Sequence, residues 1–401
     1  MEPEYSFFDA PEKKENSVWL NFLLLGFSYG PMAYSLARRL FVYNLSEVTD
    51  EDINDGIAVG QVMPGAVLAN FAAYLGYLVD KIRGAFAGML IFIFPSFVLM
   101  VVLSFLYGKY GQVPLVQVIL RGMSSVMIAL LFKVVLDIFS TGVEEPGYLL
   151  ISLASFLLLL GNVNIAVILV GSVAASLLHG VHSKKLVWEK GHGKIPDSDQ
   201  VRDYLATHSW FLWMILGLLG TNSIIYLINP EIAAMNTVLF KIGLFTFGNG
   251  YTMLPFIYKE VVQSFHWLTP KEFSDGIVLG QITPGPVIIT ATFVGYKVAG
   301  VIGAIFATIS IFLPSTMLVA LASETFVKYK DNLWMKISMK GILSSFIGLL
   351  TLVIIQLGRV SVVNFKMSLF TAVAIVLFVY TKINPMILLL VGLAASILFL
   401  R

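Results

Sequence analysis

The stretch Asp55-Gly-Ile-Ala-Val-Gly-Gln-Val-Met-Pro-Gly-Ala-Val67 recurs as Asp275-Gly-Ile-Val-Leu-Gly-Gln-Ile-Thr-Pro-Gly-Pro-Val287. Each copy places a Gly-Gln-x-x-Pro-Gly break inside an otherwise apolar segment. A membrane-spanning helix satisfies its backbone polar groups internally, so a break exposes some of them. Corresponding interrupted segments in two halves of a chain point to the binding site of a transporter. The repeated break therefore predicts a duplicated membrane protein whose site is built from both copies.

The composition is that of a membrane protein, with 58% hydrophobic and 12% charged residues and a mean hydropathy of +0.86. Soluble domains carry roughly a quarter charged residues. We predict an all-α polytopic protein of the cytoplasmic membrane, the inner membrane of a bacterium. The start of the chain, Met1 to Asn16, is polar and acidic, which is not the order of a signal peptide.

Thirteen apolar segments are long enough to be counted as helices. The fifth and sixth are separated only by Gly161-Asn-Val-Asn164, where we expect a tight helical hairpin, with one long tilted helix as the alternative. The segments are 18–42, 56–79, 84–107, 113–139, 147–161, 163–179, 209–229, 236–258, 276–297, 299–323, 333–357, 361–380 and 383–400.

The two halves stay in one register well beyond the opening motif. At a spacing of 219 residues, Gly76-Tyr77 matches Gly295-Tyr296 and Pro95-Ser96 matches Pro314-Ser315. The halves are therefore a tandem duplication. We divide the chain into a cytoplasmic tail 1–17, a first repeat 18–179, a polar loop with a linking transmembrane helix 180–235, and a second repeat 236–401.

Each repeat holds six segments, and segment 209–229 is left over between them, so the second copy is expected to enter the membrane from the opposite side. With the N-terminus inside, fifteen Lys and Arg fall in inner loops, among them Lys259 and Lys271, and seven in outer loops, among them Arg38 and Arg39. This bias supports inverted repeats with the N-terminus inside and the C-terminus outside. A re-entrant break would change the count.

The second break has the chemistry of an anion site. Thr283 precedes Pro284 as a hydroxyl N-cap precedes a proline at the first helical position. A half-helix that begins inside the bilayer directs unpaired N–H groups and partial positive charge at its ligand. The first copy lacks the hydroxyl. Helix kinks with glycine packing are the alternative. The predicted ligand-binding residues of the breaks are Gln61, Pro64, Gly65, Gln281, Thr283, Pro284 and Gly285.

A glycine cluster precedes each break, at 26–33 and 243–251. Successive glycines allow the backbone to turn and present N–H groups to an anion, and close helix packing is the alternative. From these clusters we add Gly30, Gly248, Asn249 and Gly250 to the predicted site.

Two cations lie within apolar segments at equivalent positions, Arg121 and Lys340, each followed by glycine. Membrane cations usually face a bundle interior or a water-filled cavity, so the pair is predicted to flank one anion, unless each extends to a helix end instead. Asp55 and Asp275 also match between the repeats. They either carry protons or cap the helices that follow them.

Other chemistries are not supported by the sequence. Without cysteine, thiol redox chemistry and disulfides are excluded. Four histidines lie in or beside 180–208 without carboxylate support, which favours a solvated loop over a metal site. A net charge of +2 suggests no nucleic-acid partner. No phosphate-binding loop or catalytic arrangement is present, and we expect no enzyme activity, cofactor or metal.

These motifs resemble the chromate ion transporter family, in its long form with two fused homologous halves. The first half departs at Tyr29, at Ala66 and in lacking one glycine beside Gly30. The resemblance covers most of both repeats and rests on Ser28-Tyr-Gly-Pro31, Arg38-Arg39, Asp55-Gly56, Pro64-Gly65, Gly76-Tyr77, Phe245-Thr-Phe-Gly-Asn-Gly-Tyr251, Lys259-Glu260, Trp267-Leu-Thr269, Asp275-Gly276, Gly280-Gln281, Pro284-Gly-Pro286 and Gly295-Tyr296.

The resemblance implies membrane export of chromate, with sulfate as a related ligand. We expect a secondary transporter that works by alternating access and is driven by the membrane potential or by ion coupling. Two alternatives stay open, namely proton-coupled transport of sulfate or another small anion, and a membrane scaffold whose glycines serve packing only. The sequence leaves the oligomeric state open, a homodimer included, and lipid is the other expected partner.

Overall fold

The computed structural model describes residues 18–28, 31–43, 48–140, 143, 145–183, 209–247, 250–329, 332–381 and 385–399. Every secondary-structure element within these ranges is a helix. The predicted tail 1–17 and most of the predicted polar loop, residues 184–208, lie outside them.

Fifteen α-helices make up the described chain. The first repeat and the linking helix contain α1 (Val18–Leu25), α2 (Pro31–Ala37, extended by a π-helical turn Arg38–Tyr43), α3 (Asp50–Val62), α4 (Val67–Tyr110), α5 (Pro114–Ser140), α6 (Pro146–Leu160), α7 (Ile165–His182) and α8 (Ser209–Ile228). The second repeat contains α9 (Pro230–Phe245), α10 (Leu254–Ile257, between a 3₁₀ turn Gly250–Met253 and a π-helical turn Tyr258–Ser264), α11 (Pro270–Ile282), α12 (Thr290–Tyr329, after a 3₁₀ turn Val287–Ile289), α13 (Leu333–Ser361), α14 (Phe365–Tyr380) and α15 (Pro385–Phe399).

Local sequence fixes where many helices begin. α3 and α11 start with capping boxes, in which Thr49 pairs with Asp52 and Thr269 with Glu272. Asparagine side chains cap α7, α9, α13 and α14 by accepting hydrogen bonds from first-turn N–H groups. The predicted hairpin at 161–164 is confirmed, because α6 and α7 are separate helices packed on each other.

The segment around the first break folds back on itself instead of forming one continuous helix. α3 packs antiparallel to the first arm of α4, residues 67–79, and a β-carbon at Gly60 would lie 2.6 Å from the Val67 carbonyl oxygen. The chain reverses again at Asp80 and Lys81, whose φ and ψ are not helical. The second arm, 82–110, returns along the first, with Gly76 against Gly84.

The second repeat folds in the same way. Gly276 lies against Phe293 across the break, the chain reverses at Ala299 and Gly300, and Gly295 packs against Gly303. Of the possibilities that the sequence left open for 56–79 and 276–297, the structure shows a hairpin at each break rather than one continuous helix. The left-handed glycine in each break turns the chain through a hairpin instead of kinking one helix.

The first predicted segment, 18–42, is also a hairpin. Asn21 Nδ2 donates to the Leu40 carbonyl oxygen at 3.3 Å, and the rings of Phe22 and Phe41 lie 4.8 Å apart. A continuous helix would hold these residues roughly 28 Å apart at 1.5 Å per residue. The prediction of one continuous segment at 18–42 is therefore wrong, because α1 and α2 fold back on each other.

Contacts between the repeats establish their inverted topology. Arm 82–110 runs parallel to the start of α12, since Ser96 contacts Pro284 and the ring of Tyr107 lies 5.3 Å from that of Phe293. Because 290–298 is antiparallel to 301–329 across the Gly300 turn, the equivalent long arms 82–110 and 301–329 run in opposite directions. The predicted inverted repeats are confirmed by this arrangement.

The helices define two faces of the molecule. We call the face with the turn at Asp80 and Lys81 the Lys81 face, and the face with the turn at Ala299 and Gly300 the Gly300 face. Six helices of the described chain are long and apolar enough to cross a membrane, and α6 and α14 are shorter apolar helices. The protein is a multi-pass helical membrane protein.

The last two helices of each repeat pack on the other repeat. α14 and α15 lie against α5, and α6 and α7 lie against α13. Two close contacts mark this exchange, Gly122 with Ser396 and Gly341 with Ser176. The exchange ties the two halves into one bundle around the breaks.

Candidate functional site

Each break has a left-handed glycine at its centre. α3 and α11 end at C-cap residues Met63 and Thr283, and Gly65 and Gly285 follow with φ of +107° and +90°. Residues with a β-carbon are strained in this region, whereas glycine adopts it freely. The glycine of each Pro-Gly pair is therefore required by the turn itself.

The predicted role of Thr283 as N-cap, with Pro284 at the first helical position, is wrong. Thr283 Oγ1 donates to the Gly280 carbonyl oxygen at 2.7 Å, and its N–H to the Leu279 carbonyl oxygen at 3.3 Å. These bonds close the end of α11. The turn at Gly285 comes next, so the N-cap position of the following helix is Pro286.

The helices that follow the breaks begin without side-chain caps. Neither Ala66 nor Pro286 accepts a hydrogen bond with its side chain from the first turn. The first N–H groups of a helix have no intrahelical partner, and the end of the helix carries partial positive charge. Two such ends inside one bundle suit a small anion.

Serines of the opposite repeat contact both breaks. A β-carbon at Gly65 would lie 2.4 Å from the Ser315 β-carbon, and one at Gly285 would lie 2.4 Å from Ser96 Oγ. Ser96 Oγ also donates to the Pro284 carbonyl oxygen. The two serines are equivalent in the repeats, so the contacts follow a pseudo-two-fold axis.

The glycine clusters meet the breaks. The Gly65 N–H donates to the Thr246 carbonyl oxygen at 2.7 Å, and the Gly26 carbonyl oxygen lies 3.7 Å from a β-carbon placed at Gly285. Gly250 adjoins the uncapped turn at Val287, since a β-carbon placed at Gly250 would lie 3.7 Å from the Val287 β-carbon. The predicted residues Gly30, Gly248 and Asn249 lie outside the described residues.

The two predicted glutamines differ in environment. Gln281 is buried, and its Oε1 accepts from the Tyr251 hydroxyl at 3.1 Å. Gln61 is exposed, while Pro64 and Gly65 beside it are buried. The first break is thus the more accessible of the two.

Asn70 belongs to the first break and was not predicted. Its Nδ2 donates to the carbonyl oxygens of Met63 at 3.2 Å and Pro64 at 2.8 Å, and the residue is 0% exposed. Its Oδ1 is buried without a hydrogen-bond partner. The signal in the sequence was the side-chain amide of Asn70 in the first turn of the helix after the break, at the position that Thr290 occupies in the second repeat.

The structure places Arg121 and Lys340 where the exchanged hairpins pack. Lys340 Nζ lies 5.9 Å from the ring centroid of Tyr148, and Arg121 is exposed. The glycine after each contacts a serine of the opposite repeat, as described above. None of their described contacts is with a break, and their place beside an anion stays a prediction.

Asp55 and Asp275 do not cap the helices, because both lie in the second turn after the threonine caps. Asp275 is 2% exposed and accepts a hydrogen bond from the Tyr107 hydroxyl of the other repeat at 2.9 Å. Lys271 Nζ lies 3.4 Å from the same Oδ2. Asp275 therefore joins the repeats at the Gly300 face.

Inverted repeats with broken helices inside a helical membrane bundle are a recurrent architecture of membrane transporters. The chain belongs to the chromate transporter family, whose sequence pattern matches residues 17–177 and 233–397. No solved structure matches the chain significantly.

Curated relatives cover nearly the whole chain. An uncharacterized transporter of Methanocaldococcus jannaschii is 30% identical, with 98% of this chain and 97% of the relative covered. A chromate transport protein of Cupriavidus metallidurans is 31% identical, with 92% and 90% covered. A chromate transport protein of Pseudomonas aeruginosa is 27% identical, with 95% and 91% covered.

Proposed function

We propose that this protein exports chromate across the cytoplasmic membrane by alternating access. The observation that carries the proposal is a pair of uncapped helix N-termini, one from each inverted repeat, whose breaks each contact the opposite repeat. Backbone N–H groups and partial positive charge suit an oxyanion without a permanent cation at the site. The relatives from Cupriavidus metallidurans and Pseudomonas aeruginosa are both named chromate transport proteins.

The two hairpins differ in burial, which supports alternating access. α11 is buried against α5 and α13. By symmetry α3 would pack on α13 and α5, yet within the described residues it packs mainly on α4. Inverted repeats that share a fold and differ in packing are closed at one face and open at the other. We assign this structure to a state closed at the Gly300 face.

Basic residues support a cytoplasmic Lys81 face. The hairpins move Arg38 and Arg39 to this face and Lys259 and Lys271 to the Gly300 face. Two basic residues thus move from each face to the other, so the count of Lys and Arg stays at fifteen on the proposed inner side and seven on the outer side. The bias of basic residues toward the cytoplasm then places α3 and its accessible break inside the cell.

The membrane potential is sufficient to drive export. A charge that leaves an inside-negative cell gains roughly 2.3 kcal/mol per 100 mV. A dianion gains about 4.6 kcal/mol, which corresponds to a concentration ratio of more than a thousandfold at roughly 1.4 kcal/mol per tenfold.

A second candidate is proton-coupled transport of sulfate or another small anion. The buried carboxylate of Asp275, held between the repeats by Tyr107, favours it. Coupled carriers often place an ionisable group inside the membrane for this purpose.

Flux into and out of proteoliposomes separates the two candidates. Purified protein is reconstituted, and chromate and sulfate movement is followed under an imposed potential or an imposed pH gradient. The export proposal predicts chromate flux under an imposed membrane potential without any pH gradient. Flux of sulfate but not chromate, or flux only with a pH gradient, would establish the second candidate, and no flux of either anion would refute both.

A further inference from the structure

Lys259 faces a cavity that lies apart from the breaks. The cavity is about 230 Å³ in volume and opens between the α6–α7 turn of the first repeat and the π-helical turn 258–264 of the second. It lies at the Gly300 face, because Tyr258 packs edge-to-face on Phe273 at the start of α11, with ring centroids 5.4 Å apart. Asp275 at that end of α11 bonds to Tyr107 near the end of α4.

The charge of Lys259 is not neutralised by a carboxylate. Its Nζ donates to the carbonyl oxygens of Asn162 at 3.2 Å and Val163 at 2.6 Å. An ammonium group has three N–H donors, so one remains for the cavity. Within the described residues, no carboxylate lies within ion-pair distance of Lys259, and its acidic neighbour Glu260 acts on it only from farther away, whereas Lys133, Lys271 and Lys297 each have a carboxylate within 4 Å.

The other polar residues around the cavity also supply donors. The side chains of Gln263 and Gln356 line it, as does Tyr258, and none of the lining residues is acidic. No hydrogen bond of the Tyr258 hydroxyl or of either amide occurs within the described residues. Buried Tyr258, half-buried Lys259 and Gln356, and exposed Gln263 thus present hydrogen-bond donors toward the cavity, and an oxyanion would accept from them.

We propose that this cavity is a second oxyanion site, which binds a tetrahedral dianion such as sulfate or chromate at the Gly300 face. The oxyanion class rests on the proposed function, whereas the site itself does not include the breaks. A free anion and the phosphate of a lipid headgroup share the same chemistry. In either case Lys259 supplies the charge, and the two glutamines and Tyr258 supply neutral hydrogen bonds.

The test is the stoichiometry of sulfate and chromate binding to the purified full-length protein, measured by equilibrium dialysis in detergent. We expect two anions per chain for the wild type. Gln356→Leu and Lys259→Gln should each weaken one of the two sites at least tenfold. Gln356→Leu leaves the bonds of Lys259 to the α6–α7 turn in place, so it tests binding even if Lys259→Gln unfolds. Gln117→Leu, at the same face and bonded to Gln112, is the matched control and should keep both sites.

The outcomes separate this inference from the proposed function. One bound anion that Gln356→Leu does not weaken refutes the second site and leaves the central site standing. No bound anion at all refutes both. The measurement is then repeated in nanodiscs of phosphatidylcholine with and without phosphatidylglycerol. If anion binding at the Lys259 cavity is lost only in nanodiscs that contain phosphatidylglycerol, a lipid headgroup is the natural occupant. If the cavity binds the anion in both kinds of nanodisc, the free anion is the occupant.

Discussion

Replacement of Gly285 by alanine tests whether the geometry of the break, rather than its apolar character, is needed for transport. The residue has φ of +90°, and its β-carbon would lie 2.4 Å from Ser96 Oγ. Two costs arise from one methyl group. The backbone is strained, and the serine has to leave the Pro284 carbonyl oxygen.

The magnitude of each cost is estimated separately. A non-glycine residue in a sparsely populated backbone region costs about 1–3 kcal/mol. The hydrogen bond that Ser96 loses adds about 0.5–1.5 kcal/mol. Gly300 provides the matched control, because its φ is +60° and no atom lies within 4 Å of an added β-carbon. Gly300→Ala should therefore show the backbone cost alone.

The assay combines thermal unfolding of the purified protein with anion flux in proteoliposomes. Gly285→Ala should unfold at a lower temperature than Gly300→Ala and should lose most flux, since misplacement of binding groups by about 1 Å can cost a hundredfold in rate. Gly300→Ala should keep its flux. In a double-mutant cycle, Gly285→Ala and Ser96→Ala should be non-additive by about the energy of the shared hydrogen bond, roughly 0.5–1.5 kcal/mol.

Two results would contradict this reasoning. Wild-type flux in Gly285→Ala would show that the break does not hold the anion. Strict additivity in the cycle would show that Ser96 does not sense the added methyl group.

Four further predictions follow from the same contacts. Gly65→Ala should be more damaging than Gly285→Ala, because it meets the Ser315 β-carbon, which no rotation can move; unfolding temperatures of Gly65→Ala alone and with Ser315→Gly check this, and absence of rescue would contradict it. Asn70→Leu removes both hydrogen bonds to the first break and should destabilise by about 1–3 kcal/mol, measured by unfolding, with flux lost in any variant that still folds. Tyr107→Phe leaves the buried Asp275 without its inter-repeat donor and should lower stability by about 1–3 kcal/mol, whereas Tyr110→Phe at the exposed end of α4 should not. Arg121→Gln and Lys340→Gln should reduce chromate export without preventing membrane insertion, and unchanged chromate resistance in both would remove these residues from the site.

Sequence patterns were sufficient for the features that depend on composition and repetition. The apolar segments and the register between Gly76-Tyr77 and Gly295-Tyr296 predicted a duplicated helical membrane protein. The Pro-Gly breaks were also located correctly. Their equivalent contacts with Ser315 and Ser96 of the opposite repeat follow from the duplication, since the two halves are related by a pseudo-two-fold axis.

The direction of the chain after each break could not be predicted. A Pro-Gly pair is compatible with a kink and with a reversal, and only the φ of Gly65 or Gly285 distinguishes them. Thr283 was misassigned for the same reason, because its hydroxyl suits a helix end as well as a helix start. Asn70 was missed because its partners are backbone carbonyls that become accessible only once the hairpin has formed.

The two faces of the protein are not chemically equal, although the repeats are. At the Gly300 face, Tyr107 bonds to Asp275 across the repeats. The residue equivalent to Tyr107 in the second repeat is Phe326, which has no hydroxyl for Asp55. In the proposed state closed at the Gly300 face, the Tyr107 hydrogen bond contributes about 0.5–1.5 kcal/mol, and Phe326 cannot supply its counterpart. A bias of this size shifts two otherwise equal states by roughly two- to tenfold. Under the proposed export mechanism, it would favour an empty carrier that is open to the cytoplasm, the state in which an exporter loads.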